Sequence, residues 1–306
     1  MRALFWTILP LAVTLACLSA APQAASGPRT FATPEEAARA LIDAAAKNDT
    51  AAMLKVFGPG GKDIVDSGDP AAEKEGRANF ARRAADKMRI DIDPGNPNRA
   101  TVVVGQDDWP LPVPLVRLAG QWRFDAGRGR VEILARRIGR NELGAIEVCR
   151  GYVEAQMDYA SHDRDGDGTL QYAQKIIATP GKKDGMYWEG DSPSLAPKSF
   201  ADAAAALLAA QGKKAVPYHG YFFHILRAQG PDAQGGALDY VVKGKMIGGF
   251  ALVAWPAEYG VSGVKTFIVN HSGVVYSKDM GPATATLARQ MVRYNPDKTW
   301  KPVPKE

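Results

Sequence analysis

From Pro34 to Phe57 apolar residues return every three or four positions, and near Thr101 the rhythm shortens to two. The first pattern predicts helices and the second predicts strands. Thr33-Pro34-Glu35-Glu36 has a capping residue, proline at the first helical position and an acid at the third, which is a helix start. Ala37, Ala40, Leu41 and Ala44 then share one face, and Asn48-Asp49 ends the helix. Met53, Leu54, Val56 and Phe57 predict a second short helix, stopped by Gly58-Pro59-Gly60-Gly61. Asp69-Pro70 opens a third, expected to carry Phe80, Ala84 and Met88. Residues 101–104, 113–118 and 121–124 predict strands, with Ala119-Gly120 as a tight hairpin. Helices followed by an antiparallel meander give an α+β domain over 26–130.

Residues 131–162 return to the helical period. Leu134, Ile138, Ala145, Cys149, Tyr152 and Gln156 form a stripe, and Arg136, Arg137, Arg140 and Arg150 lie opposite. This element is expected to bridge two domains and to break near Gly139 or Gly144, since glycine costs ~1 kcal/mol against alanine inside a helix. A β-rich domain over 163–306 follows. It has a glycine-rich loop (181–191), a proline-rich turn (192–197), an alanine-rich helix (200–210), and strands at 221–226, 249–255, 265–270 and 274–276. That order predicts a helix on a four-stranded antiparallel sheet. By topology alone, the first domain resembles the cone-shaped nuclear-transport-factor-2-like fold. The second resembles the heads of type IV pilins and pseudopilins.

The 306 residues are 46% hydrophobic and 23% charged, which excludes a disordered tail, a collagen-like repeat and a coiled-coil rod. The excess of +5 alternates with acids along the chain, unlike the concentrated basic face of a nucleic-acid binder. At the start, Arg2, an apolar run from Ala3 to Cys17 and small residues to Ala25 predict a secretory signal over 1–25. Pro10 and the short run argue against a retained anchor, and no later segment reaches ~18 consecutive apolar residues. The expected compartment is therefore the periplasm or the exterior. Lipid attachment through Cys17 is disfavoured, because Thr14 stands where a branched apolar residue is wanted. Cys149 alone would then remain, too few for an internal disulfide, and it fits a small buried hydrophobe.

One local motif suggests a metal. Asp163-Arg164-Asp165-Gly166-Asp167-Gly168-Thr169 has the alternating oxygen donors of a calcium loop, with ligands expected from Asp163, Asp165, Asp167 and the Thr169 carbonyl. Gln174 stands where the bidentate glutamate belongs, so Ca2+ would bind weakly. The alternative is a polar turn that caps the following segment. Tyr187, Trp188, Tyr218, His219, Tyr221, Trp255 and Tyr259, with nearby glycine pairs, suggest a groove for a glycan or peptide, or else core packing. His219 and His224 fall on opposite faces of a strand, which opposes joint ligation of a metal. There is no Gly-x-Ser-x-Gly elbow, Gly260-Val261-Ser262-Gly263 fits a hairpin, and no catalytic residues emerge. Eight arginines from Arg117 to Arg150 face four acids. They form either a phosphate-binding ridge or ion pairs in which Arg137, Arg140 and Glu142 pin the domains together.

Five segments occur in order: Arg136-Arg137-Ile138-Gly139-Arg140-Asn141-Glu142-Leu143, Pro180 to Trp188, Tyr218 to Phe223, Gly248 to Ala257, and Thr266 to Asn270. In these the sequence resembles the bacterial family called domain of unknown function 2950. The resemblance implies an exported protein and assigns no reaction. The expected role is an envelope-associated binding or structural protein whose partner is an envelope protein, glycan or peptide, and not a nucleic acid. The alternative is a hydrolase of envelope material whose site assembles only in three dimensions.

Overall fold

A computed structural model describes residues 27–66, 70–164, 166–188 and 217–304. The leader, Cys17, Asp165, the turn at 192–197 and the helix at 200–210 lie outside the described residues. The chain divides into two compact units, Met1–Gly129 and Arg130–Glu306. Both helices and antiparallel sheets are present, so the class is α+β.

In the first unit α1 (Pro34–Ala46) begins where the cap predicts. The Thr33 hydroxyl accepts the Glu36 N–H at 3.2 Å, and Glu36 reaches back to the Ala32 N–H. Asp49 caps α2 (Thr50–Phe57) through the Ala52 N–H. A turn leads to α3 (Lys62–Val65) and α4 (Pro70–Asp86). The buried Arg77 joins these helices, donating to Asn48, Thr50, the Val65 carbonyl and Glu73. Met88 is not on α4 as expected. It opens β1 (Met88–Asp93), because Met88 to Asp93 alternates apolar and charged and pairs antiparallel with β2 (Asn96–Val104). β3 (Trp109–Pro110) adds to β2, and β4 (Leu115–Leu118) and β5 (Gln121–Phe124) complete a sheet of order β1-β2-β4-β5. Leu41, Val56, Phe57, Val102, Val104, Leu115 and Phe124 are buried together.

α5 (Ala126–Tyr159) runs unbroken through Gly139 and Gly144, against expectation. The glycine penalty is offset because Ala145, Val148, Cys149, Tyr152 and Ala155 join one hydrophobic core with Phe250, Leu252 and Val269. From Arg130 onward the helix belongs to the second unit. There β6 (Tyr221–Leu226), β7 (Ala228–Gln229), β8 (Leu238–Asp239), β9 (Val241–Val242), β10 (Lys245–Met246), β11 (Ala251–Pro256), β12 (Lys265–Asn270), β13 (Tyr276–Asp279), α6 (Thr284–Arg289) and β14 (Lys301–Pro302) follow. The main sheet has five strands rather than four, in order β14-β13-β12-β11-β6 and antiparallel throughout. β14 supplies the fifth through Tyr276↔Pro302 and Ser277↔Lys301. All of β11 is buried. Tyr152 donates to the Ala251 carbonyl at 3.2 Å. The buried Gln156 exchanges side-chain bonds with the Ala173 backbone at 2.8 Å in both directions, fixing the chain beyond the aspartate loop.

Candidate functional site: a basic cleft on the second unit

After α5, the chain returns as short pieces held by isolated pairings, Tyr172 with Met246 and Ile177 with Tyr187. Between the halves of the second pairing lies a tight turn. Asp184 accepts from the Thr179 N–H at 2.7 Å, the Thr179 hydroxyl at 2.8 Å and the Lys175 ammonium at 2.7 Å. Gly185 is required next to it, since a Cβ there would stand 2.5 Å from the Ala178 nitrogen. This turn and the β9–β10 hairpin border a cleft of about 710 Å³. Tyr159 and Tyr172 are among its walls, and among the described residues seven basic side chains (Arg164, Lys175, Lys182, Lys183, Arg227, Lys243, Lys245) line it against one acid, Asp184.

Three of the seven are neutralised. Lys175 holds Asp184, and with Thr179 it keeps that carboxyl well below the usual carboxylate range. Lys245 binds Asp167 and donates to the Thr169 hydroxyl at 3.0 Å, pulling the Asp167 carboxyl down as well. Arg164 lies 3.7 Å from Asp158, donates to the Asp158 and Tyr159 carbonyls, and stacks over Tyr159 and Trp188 at 5.6 Å each. Lys182, Lys183, Arg227 and Lys243 make no ion pair among the described residues; Lys183 sits 5.7 Å over the Trp188 ring. Unneutralised cations around an aromatic-walled cavity attract anions and strengthen as water is displaced.

The aspartate loop lies next to this cleft. Asp163 accepts the Gly166 and Gly168 N–H groups at 2.9 and 2.8 Å, and Asp167 accepts the Thr169 N–H at 3.0 Å as well as Lys245. Gln174 donates to the Gly244 carbonyl at 2.7 Å, tying the loop to the hairpin. Among the described residues no group of three or more His, Cys, Asp or Glu side chains is arranged to hold a metal ion.

The seven candidate groove residues are not gathered into one groove. Tyr187 and Trp188 stand at the edge of the cleft, with Trp188 under Arg164 and Lys183. Tyr221 is fully buried and donates to the Lys265 carbonyl at 2.8 Å. Trp255 is buried 5.8 Å from the Phe222 ring, centre to centre. Tyr218 pairs with Tyr221 through two backbone bonds and packs against His219 at 4.2 Å. Tyr259 bridges to Gly263 and bonds Asp279. Burial pushes the Cys149 thiol up to about 12, which removes it as a nucleophile.

Of the two expectations for the arginine-rich segment, the ion pairs through Glu142 are not found among the described residues. Glu142 forms no ion pair with Arg137 or Arg140. Its Oε1 accepts the Val264 and Lys265 N–H groups at 2.9 Å each, and Asn141 donates to the Ser262 carbonyl at 2.8 Å. Gly220 fits against Asn141, where a Cβ would come within 2.7 Å of its amide nitrogen. Sequence reasoning missed the basic residues of the cleft. The one available signal was the adjacent pair Lys182-Lys183 and the spaced pair Lys243-Gly244-Lys245.

This is an α+β protein with a basic cleft beside an aspartate loop, and no described helix is long and apolar enough to cross a membrane. Residues 28–303 match the family described as "Protein of unknown function (DUF2950)", and the chain belongs to that family. No curated protein and no solved structure matches it.

Proposed function

We propose that the protein is exported and acts outside the cytoplasm as a binding protein that captures an acidic glycan in the cleft of its second unit. Seven cations face one acid across about 710 Å³, and four of them have no ion pair among the described residues; that observation carries the proposal. Tyr159 and Tyr172 offer ring surface beside those charges, the combination that suits a sugar bearing carboxylates. A hydrolase reading needs a nucleophile and a base at the cleft, whereas the one carboxylate lining it among the described residues is committed to Lys175 and Thr179. Export rests on the leader-like pattern of residues 1–25.

The test is calorimetric titration of the leader-free chain with polygalacturonate, neutral dextran and poly-glutamate. Polygalacturonate should bind, weaken with salt, and lose about tenfold or more in Lys182→Ser/Lys183→Ser/Lys243→Ser. Equal binding by that variant, or by dextran, would refute the cleft; preference for poly-glutamate would make the ligand an acidic peptide. N-terminal sequencing of the protein from an envelope fraction should begin near residue 26. Intact chain found only in the cytoplasm would refute export.

A further inference from the structure

The first unit has a cavity of its own, of about 520 Å³. Its apolar side includes Val116 and the exposed Leu118, which share a face two residues apart on β4, while Phe57 and Phe124 also border it but have their rings buried in the core, packed edge to face at 5.3 Å. Its polar side is formed by Arg99, Arg117, Arg123 and Arg128. The strand register explains part of this set. Arg99 of β2 lies opposite Val116 of β4, which lies opposite Arg123 of β5. Cross-strand partners share a face, so two guanidinium groups flank one apolar residue from strands roughly 10 Å apart.

Among the described residues the single acid lining the cavity is Asp125, and it is already used. It accepts the Arg128 N–H at 3.0 Å and lies 3.5 Å from the Arg128 guanidinium, so it also caps the start of α5. Arg117 is positioned by neutral partners, donating to Asn98 at 2.9 Å and lying 5.7 Å over the Trp122 ring. Arg123 makes no ion pair among the described residues. Arg99 has only Asp93 at 3.7 Å, and its Nε is buried with no hydrogen-bond partner.

We infer that this cavity is a second ligand site, separate from the basic cleft, which binds a small organic anion: a carboxylate, sulfate or phosphate carried on an apolar body. The guanidinium fork matches the two oxygens of such a head group. Val116 and Leu118, on the same face as Arg99 and Arg123, give the apolar body a surface that excludes water. The volume lies within the ~300–1,000 Å³ usual for small-molecule sites. An inorganic ion would leave the apolar side unused, and a neutral alcohol would leave the arginines unmatched.

The experiment titrates the leader-free full chain with octanoate, octanol and inorganic phosphate. Octanoate should bind the wild type about tenfold or more tightly than either of the others. Arg99→Gln/Arg123→Gln should weaken octanoate about tenfold, and Lys182→Ser/Lys183→Ser should leave it unchanged, which keeps this result independent of the cleft. Arg123 is partly exposed and unpaired, so Arg123→Gln alone is expected to fold. It serves as the check if the double variant does not, with an expected loss of about threefold. No octanoate binding, or equal binding by Arg123→Gln, would overturn the site. Phosphate binding as tightly as octanoate would overturn the apolar half of the inference.

Discussion

Glu142→Ala should destabilise the second unit by about 3 kcal/mol, and Glu142→Gln by less than about 1 kcal/mol. Both bonds reach the same atom: Oε1 accepts the Val264 and Lys265 N–H groups at 2.9 Å each. A hydrogen bond to a charged group contributes ~1.5–3 kcal/mol, so two give at most ~6. Glu142 is half-buried, and water entering a truncated site would recover part of this, which brings the loss to about half that bound. Glutamine retains an amide oxygen where Oε1 stood, so it keeps both acceptor contacts and loses only the charge assistance. Alanine leaves two backbone donors at the start of β12 with no partner.

The second unit spans 177 residues, from Arg130 to Glu306. At that size ~1 kcal/mol moves the melting temperature by ~2–4 °C. Glu142→Ala should therefore melt about 6–12 °C early, and Glu142→Gln within about 4 °C of wild type. Near-ultraviolet circular dichroism follows the unit through its buried aromatic residues. An alanine variant that melts with the wild type would refute the anchoring role. A glutamine variant that falls as far as alanine would show that charge, rather than the pair of backbone bonds, matters there.

Gly263→Ala should cost about 2–4 kcal/mol, because its Cβ would stand 2.2 Å from the Tyr221 hydroxyl and displace a fully buried ring from its bond to Lys265; denaturant melts check it, and Tyr221→Phe should restore part of the loss. Acid should loosen the 179–184 turn. The folded Asp184 carboxyl titrates below its ordinary 3.8, so its stabilisation is present above pH 3.8 and is lost as pH falls through the lower folded value; Asp184→Asn should remove that pH dependence from hydrogen exchange at Thr179. Calcium entering the aspartate loop must displace Lys245 from Asp167 and Thr169. Lys245→Met should therefore tighten calcium about tenfold, a unit charge at ~4 Å being worth ~1–4 kcal/mol near a surface; no calcium heat in either protein would remove the metal from that loop.

The elements legible in the sequence are those whose signal is local. The Thr33 cap, the stop at Asn48-Asp49 and the apolar runs of β6 and β12 carry their own evidence, and the structure places them at the expected positions. β1 was hidden because Arg89, Asp91 and Asp93 make it look like the charged tail of α4, and only pairing with β2 distinguishes them. β14 is two residues long and includes Pro302; it exists because Tyr276 and Ser277 offer an edge. Gly139 and Gly144 carried a propensity argument that packing overrides. The aromatic set failed on register. Tyr221 lies opposite Pro256, and Phe222 opposite Trp255, so Tyr221 and Trp255 fall on opposite faces of the sheet, and no spacing within either strand reveals that. The cleft was illegible for another reason: lysine and arginine are ordinary surface residues, and they become a site only where five stretches of chain converge.

The five segments that carry the family resemblance serve mostly to hold backbone geometry. Asn141 and Glu142 bind the 262–265 turn. Gly185 and Gly220 permit approaches that any Cβ would block. Gly249, at φ +136°, fits against His271 and Tyr240. Such residues specify a fold and leave its ligand open. Lys182 and Lys183 differ, because they sit within one of those segments and also line the cleft. Neither supports a strand or fills the core, and replacing both leaves the Lys175–Asp184–Thr179 turn intact. A Lys182→Ser/Lys183→Ser variant that keeps its melting temperature and loses polygalacturonate would assign that segment to binding; one that melts early and still binds would return it to the scaffold.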